Sequence, residues 1–401
     1  MLCGALPRTV FSGNTSADAQ TVLPVAAVVT EYRIDSHADV ILGKILAGYD
    51  QKGGPGPALK LVGLYTDQIP PGDLSRELAA KYGFHIGQTI DDALTLGTNQ
   101  LQVAGVLSIG EHGNYPLTPD TRQRMYPRRR FFDGITAVFS RVGQAVPVFN
   151  DKHLGYRWED AKHMVDQAAA MQFPLMAGSS LPVAWRRPPV SLPVGSEIRN
   201  ALAVGYGGAE DYGFHALETL QCMVERRAGG ETGVSAVQTL RGAEIRSSQE
   251  RGEWSLELLA AALQKMPGAP TADMNTLVER GTIYQIEYRD GLRATVVMAD
   301  GIASQFGFAA ALKTQQQPVA TWFELEDARP FGHFAHLTRA IDSMVHTRQQ
   351  PWPVERTLLT TGILDALMHS MANNGQLRKT PELDVTYTPA HWAFANQDAS
   401  S

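Results

Sequence analysis

The chain has 401 residues, 35 Lys and Arg against 41 Asp and Glu, a net charge of −6 and 44% hydrophobic residues. That length points to two domains, and the composition is ordinary for a globular enzyme. The acidic balance gives no electrostatic case for nucleic acid or an anionic membrane, and two cysteines, Cys3 and Cys222, cannot build a disulfide framework.

No apolar run reaches the roughly 18 residues of a membrane span. The first 20 residues lack the basic start and apolar core of a secretory signal. They read as a disordered leader on a cytoplasmic protein, with a truncated export signal as the alternative. From residue 21 the order is regular. LPVAAVV (23–29) predicts a strand, HADVILGKILAGY (37–49) a helix, LKLVGLYTD (59–67) a strand and DLSRELAAKYG (73–83) a helix stopped by Gly83. TIDDALTL adds a short helix, VAGVLSIG a strand ending at Glu111-His112, and FFDGITAVFSRVG (131–143) a helix. AVPVFND, RWEDAKHMVDQAAAM and PLMAG continue as strand, helix and strand. Alternation of this kind predicts a doubly wound, Rossmann-like parallel sheet over residues 21–180.

Beyond residue 180 longer β-like segments appear: ALAVGYGG, VSAVQTLRG, TIYQIEYRDGLRATVVMAD with its Asp-Gly hairpin signal, and QFGFAAALK. HFAHLTRAIDSMVHT (333–347) and VERTLLTTGILDALMHSMAN (354–373) read as closing helices. The expected fold class is therefore α/β: a Rossmann-like domain, then, over 181–401, an α+β domain with a large, mostly antiparallel sheet.

Several passages together resemble the glucose–fructose oxidoreductase/inositol dehydrogenase/MocA family across nearly the whole chain. They are LVGLYTDQ…SRELAAKYGF…TIDDAL, then PVFNDKHLGYRWEDAKHMVDQAA with Asp151-Lys152-His153 at the family's Glu-Lys-Pro position. DYGFHALE follows at its Asp-x-x-x-His motif, and the C-terminal helices match its closing signature. The resemblance implies action on a sugar, polyol or related hydroxy compound, and oligomerisation through the sheet domain. It makes Lys152, His215 and Asp211 the catalytic candidates, with Asp67 after the second strand as a cofactor-binding acid. A Lys ammonium favours an alkoxide, a His exchanges a proton near neutral pH, and an Asp four residues before the His on a helix lies on its face.

One departure is prominent. The first turn, Thr30-Glu31-Tyr32-Arg33-Ile34-Asp35-Ser36-His37, has no glycine where relatives hold pyrophosphate. It sets a carboxylate against phosphate. Glu31, His37, Glu111, His112 and His153 all fall near strand ends, where they suit a divalent ion, zinc or manganese. The expectation is an acid–base enzyme, a metal-assisted lyase, hydrolase or isomerase without conventionally bound NAD. The alternatives are an NAD(P)-dependent oxidoreductase and a non-catalytic sugar-binding protein. Tyr32, Arg33, Tyr115 and Arg186 are read as substrate-binding. Arg128-Arg129-Arg130 reads as a solvated cluster, or else as an anion clamp near the site.

Overall fold

The computed structural model describes residues 21–398; the leader read over 1–20, with Cys3, lies outside them. Six parallel strands form the first sheet: β1 Leu23–Val29, β2 Leu59–Thr66, β3 His85–Gly87, β4 Gly105–Ile109, β5 Val148–Asp151 and β6 Leu175–Gly178. Their order is β3-β2-β1-β4-β5-β6. β1 reads as an unbroken apolar run because both of its faces are covered. Ala26 and Val28 pack on Phe131, Phe132 and Ile135 of one core. Val25, Ala27 and Val29 pack on Ile41, Leu337 and Ile341 of another.

Helices α1 His37–Ala47, α2 Ser75–Tyr82, α3 Ile90–Thr95, α4 Arg128–Val142 and α5 Trp158–Ala170 connect these strands. Ser36 caps α1 by accepting from the Asp39 amide. Gly83 ends α2 at φ 75°, a left-handed stop that glycine adopts without strain. Helix α4 starts three residues earlier than its apolar spacing predicts, because Arg128 turns inward and is fully buried.

The second sheet has eight strands: β7 Trp185–Arg187, β8 Ile198–Gly205, β9 Val234–Arg241, β10 Thr282–Tyr288, β11 Arg293–Met298, β12 Phe306–Leu312, β13 Val319–Glu324 and β14 Arg378–Lys379. Their order is β14-β9-β10-β11-β8-β12-β13-β7, antiparallel except for the β8–β11 pair. Period-two alternation divides β8 between two cores. Ala201 and Ala203 face α6 (Asp211–Val224), while Leu202 and Val204 face the opposite side. There α7 Ala243–Glu250, α8 Leu256–Leu263 and α9 Met274–Arg280 lie.

The closing helices divide their duties. Helix α10, His333–Thr347, carries Leu337, Ile341 and Met344 into the core of the first sheet, so the first domain is completed by residues from the end of the chain. Helix α11, Glu355–Ala372, packs against α5, α6 and β9 and is buried along most of its length. The short α12, Ala395–Asp398, lies beside β7.

Candidate active site

Open α/β sheets present ligands with the carboxyl ends of their strands. Here those ends are tied together. The Thr30 hydroxyl, just past β1, donates to the Glu111 carbonyl past β4 at 2.5 Å. The Glu111 carboxylate is 5% exposed and accepts from Lys152 Nζ at 2.9 Å and Arg128 Nη2 at 2.5 Å. Burial alone would raise its pKa, but Lys152 and then Arg128 hold it well below the carboxylate range. Burial likewise opposes the charge on Lys152, yet Glu111 and Asp151 outweigh it and raise the ammonium above its ordinary value. Lys152 is thus a fixed positive charge, held at φ 61° just after β5.

The next strand end supplies the second half. Lys152 and Gly178 exchange backbone hydrogen bonds. Gly178 sits at φ 127°, and a Cβ there would lie 2.7 Å from Glu218 Oε2 and 2.9 Å from Thr357 Oγ1, so only glycine fits. The chain then turns Ser179 toward α6, where its Oγ lies 2.6 Å from His215 Nδ1. Burial and the charge of Lys152 hold His215 well below the usual imidazole value, so it is neutral at pH 7. Beneath them the fully buried Glu218 accepts from Thr360 Oγ1 at 2.6 Å and the Ser179 amide at 3.3 Å. Burial pushes its pKa up to about 6.

Of the five residues read as metal ligands, Glu31, His37, Glu111 and His153 are partnered otherwise, while His112 lies edge-on to His37 with ring centroids 5.3 Å apart and its buried Nε2 has no hydrogen-bond partner. His37 Nδ1 is 2.6 Å from Asp151 Oδ2. Glu31 accepts from Arg33 Nε at 2.5 Å. His153 Nε2 accepts from Arg128 Nη1 at 3.0 Å, so the lone pair a metal needs is taken. Among the described residues no three His, Cys, Asp or Glu side chains are placed to hold one ion. The expected zinc or manganese centre is therefore corrected to a hydrogen-bonded polar cluster built on Glu111, Lys152 and Arg128.

Three further readings change. Tyr32 is fully buried in the core with α1, its hydroxyl without a partner, and presents nothing to a substrate. Asp211 is exposed, and its Oδ1 accepts from the Tyr212 amide, while His215 Nδ1 is taken by Ser179. Arg186 is buried away from this cluster, among Pro182, Cys222 and Phe394. Arg33 stays half-exposed at the first turn. Spacing does not single out Ser179 or Asp151 as partners of the two histidines. Their common signal is position, each at or one residue past the end of a parallel strand.

Away from the cluster, Asp67 follows β2 by one residue. It accepts from Tyr65 at 2.9 Å, Tyr115 at 2.7 Å and Arg130 at 2.7 Å. Burial opposes its charge, but Arg130 and the two phenols keep its pKa low. Gln68 and Asn114 exchange two hydrogen bonds across the same edge. The arginine run is thus divided: Arg128 clamps the protein's own Glu111, Arg130 its own Asp67, and Arg129 pairs with Asp133 and Asp160.

The buried imidazoles give a pH dependence. His333 is 4% exposed and packed at a tilt against Phe334, and its pKa is lowered to about 3, first by burial. Between pH 6.5 and that value the unfolded chain binds a proton that the folded one does not, so stability falls as pH falls. In urea unfolding across that range, His333→Asn is expected to flatten the slope by about one proton, about 1.4 kcal/mol per pH unit. An unchanged slope would show that His333 titrates normally.

No family model matches the chain, and no curated protein does. Solved structures do match. GenD2 from gentamicin A biosynthesis, in complex with NAD, is 14% identical over 94% of this chain and 99% of its own, with a TM-score of 0.56. Scyllo-inositol dehydrogenase from Lactobacillus casei, with bound NAD(H) and scyllo-inositol, is 11% identical over 90% and 99%, TM-score 0.55. A putative myo-inositol dehydrogenase from Sinorhizobium meliloti is 14% identical over 89% and 99%, TM-score 0.52. The fold is the two-domain fold of the glucose–fructose oxidoreductase/inositol dehydrogenase/MocA proteins, as the resemblance implied. The same finding overturns the expectation of a metal-assisted lyase or hydrolase without conventionally bound NAD, since the solved proteins of this fold include inositol dehydrogenases, and two of the three have the nucleotide bound.

Proposed function

We propose that the chain is an NAD(P)-dependent oxidoreductase acting on a hydroxyl or carbonyl carbon of a sugar- or polyol-like molecule. The observation that carries this reading is that Lys152, at the end of the parallel sheet, is paired through its backbone with Gly178, whose neighbour Ser179 holds His215 of the sheet domain at 2.6 Å. Lys152 donates to the oxygen of the reacting carbon and favours its alkoxide form. Glu111 and Arg128 keep that ammonium charged and fixed in place. With Nδ1 held by Ser179, His215 has Nε2 left to exchange a proton with the substrate. Glu218 anchors the Ser179 turn.

The donor set fits a dinucleotide best at its ribose end. There Asp67 is the acid that hydrogen-bonds ribose hydroxyls in this fold class. The glycines for close approach to pyrophosphate are absent. The cations at that turn are Arg33, now on Glu31, and Arg329, now on Asp35 and Asp39. Arg33 and Arg329 are the side chains that would meet the phosphates, with Arg33 offsetting the repulsion that Glu31 alone would exert. Asp35, at φ 59°, gives this turn the left-handed step that glycine would otherwise supply. When bound, the nicotinamide gives or takes a hydride. Association of chains through the sheet domain belongs to the same reading.

The test is oxidation of inositols and aldoses with NAD⁺ or NADP⁺, followed by absorbance of the reduced nucleotide. Asp67→Ala is expected to weaken NAD binding about tenfold, the value of one or two lost hydrogen bonds to a charged group. NADP binding should suffer less, since Arg130 is freed for the extra phosphate. Equal affinities for wild type and variant would remove Asp67 from the nucleotide site.

A further inference from the structure

A polar, partly open cavity lies beneath the C-terminal segment. It has a volume of about 30 Å³ and is lined by Arg186, Arg226, Arg356, Glu225, Cys222 and Phe394, among others. Among the described residues its charges do not balance. Among the described residues, Glu225 is the one carboxylate in the lining, and Arg356 already takes both of its oxygens, at 2.6 and 2.8 Å, with Tyr387 adding a third bond. Arg226 Nε is given to the Leu192 carbonyl. Arg186 is 5% exposed and donates only to the Pro182 and Val190 carbonyls and, weakly, to Cys222 Sγ. Among the described residues it has no carboxylate within ion-pair distance, and its buried Nε has no hydrogen-bond partner.

Two aromatic rings, Phe394 at 4.1 Å and Phe323 at 5.0 Å, flank the Arg186 guanidinium. They offset part of its desolvation, as cation–π contacts do, but supply no countercharge. Among the described residues, three guanidiniums against one carboxylate leave two positive charges around a space that holds roughly two water-sized spheres. Burying an unpaired cation is costly. A small anion in that space answers the charge, the orphaned Nε and the volume together.

We propose that this cavity is a binding site for a monovalent inorganic anion of halide size, seated on Arg186 with Arg226 and Arg356. The site is separate from the Lys152 cluster and independent of the proposed catalytic reading. Its role is to fasten the C-terminal segment, which carries Trp392 and Phe394, over β7 and α6.

Bromide is the probe. A crystal grown with sodium bromide should show an anomalous peak in the cavity within hydrogen-bond distance of Arg186 Nε. In solution, exchanging sodium gluconate for sodium chloride at constant ionic strength should raise the melting temperature by about 2 °C, the effect of a ligand that binds only the folded state. Arg186→Met should abolish that increment. Should that variant fail to fold, Arg226→Gln, at a half-buried position, should reduce it. An empty or water-filled cavity in the bromide crystal would overturn the proposal, as would equal melting temperatures in chloride and gluconate.

Discussion

Replacing Lys152 by methionine is expected to lower turnover about 10²-fold or more, the scale of a lost general acid–base group. Methionine keeps most of the length of the side chain and removes the charge that steadies an alkoxide. The side chain is buried on Glu111, so the variant should also melt at a lower temperature; a lysine resting on the surface of a site would be lost at no such cost. The two effects separate kinetically. If Lys152 acts on the reacting oxygen, kcat falls while the KM of the nucleotide holds. If it only supports the fold, stability falls and the activity per folded molecule stays the same. Steady-state kinetics beside thermal melts of the same samples distinguish these outcomes.

The largest effect on stability is expected from Glu111→Gln. This carboxylate is the shared partner of two buried cations, Lys152 and Arg128, and Arg128 is fully buried. Neutralising it leaves both cations without that countercharge at largely buried positions. Breaking a buried pair from one side costs about 3–5 kcal/mol. By contrast Asp91→Asn, which removes the half-exposed partner of Arg141, should change stability by no more than about 1 kcal/mol. Urea unfolding of the two variants measures the contrast. A Glu111→Gln protein as stable as Asp91→Asn would mean that the cluster is reached by solvent.

Much of this architecture is legible in the amino-acid sequence. The apolar run of β1 and the helical spacing of α10 fall at the residues where the chain predicts them, because alternation and 3.6-residue periodicity record which faces are buried. The return of α10 to the first sheet is not legible, since periodicity shows that a face is buried and not what buries it. At the site, Glu111, Lys152 and His153, all near strand ends, lie within one hydrogen-bonded cluster. Their roles differ from the expected ones for a physical reason. A carboxylate among histidines looks like a metal ligand until the cations that reach it are known, and Arg128 belongs to a run that reads as solvated surface. Tyr32 departs from expectation in the same way. In a glycine-free turn a large side chain must point somewhere, and here it points into the core under α1.

The central claim is that this glycine-free turn still serves a nicotinamide dinucleotide. Titration of the purified chain with NADH and with NADPH, followed by nicotinamide fluorescence, tests it most directly. The account predicts saturable binding of at least one of them with a Kd in the tens of micromolar, about −6 kcal/mol, weakened by Asp67→Ala. No binding of either nucleotide at about 1 mM, beyond about −4 kcal/mol, by a protein that is folded and monodisperse, would contradict it.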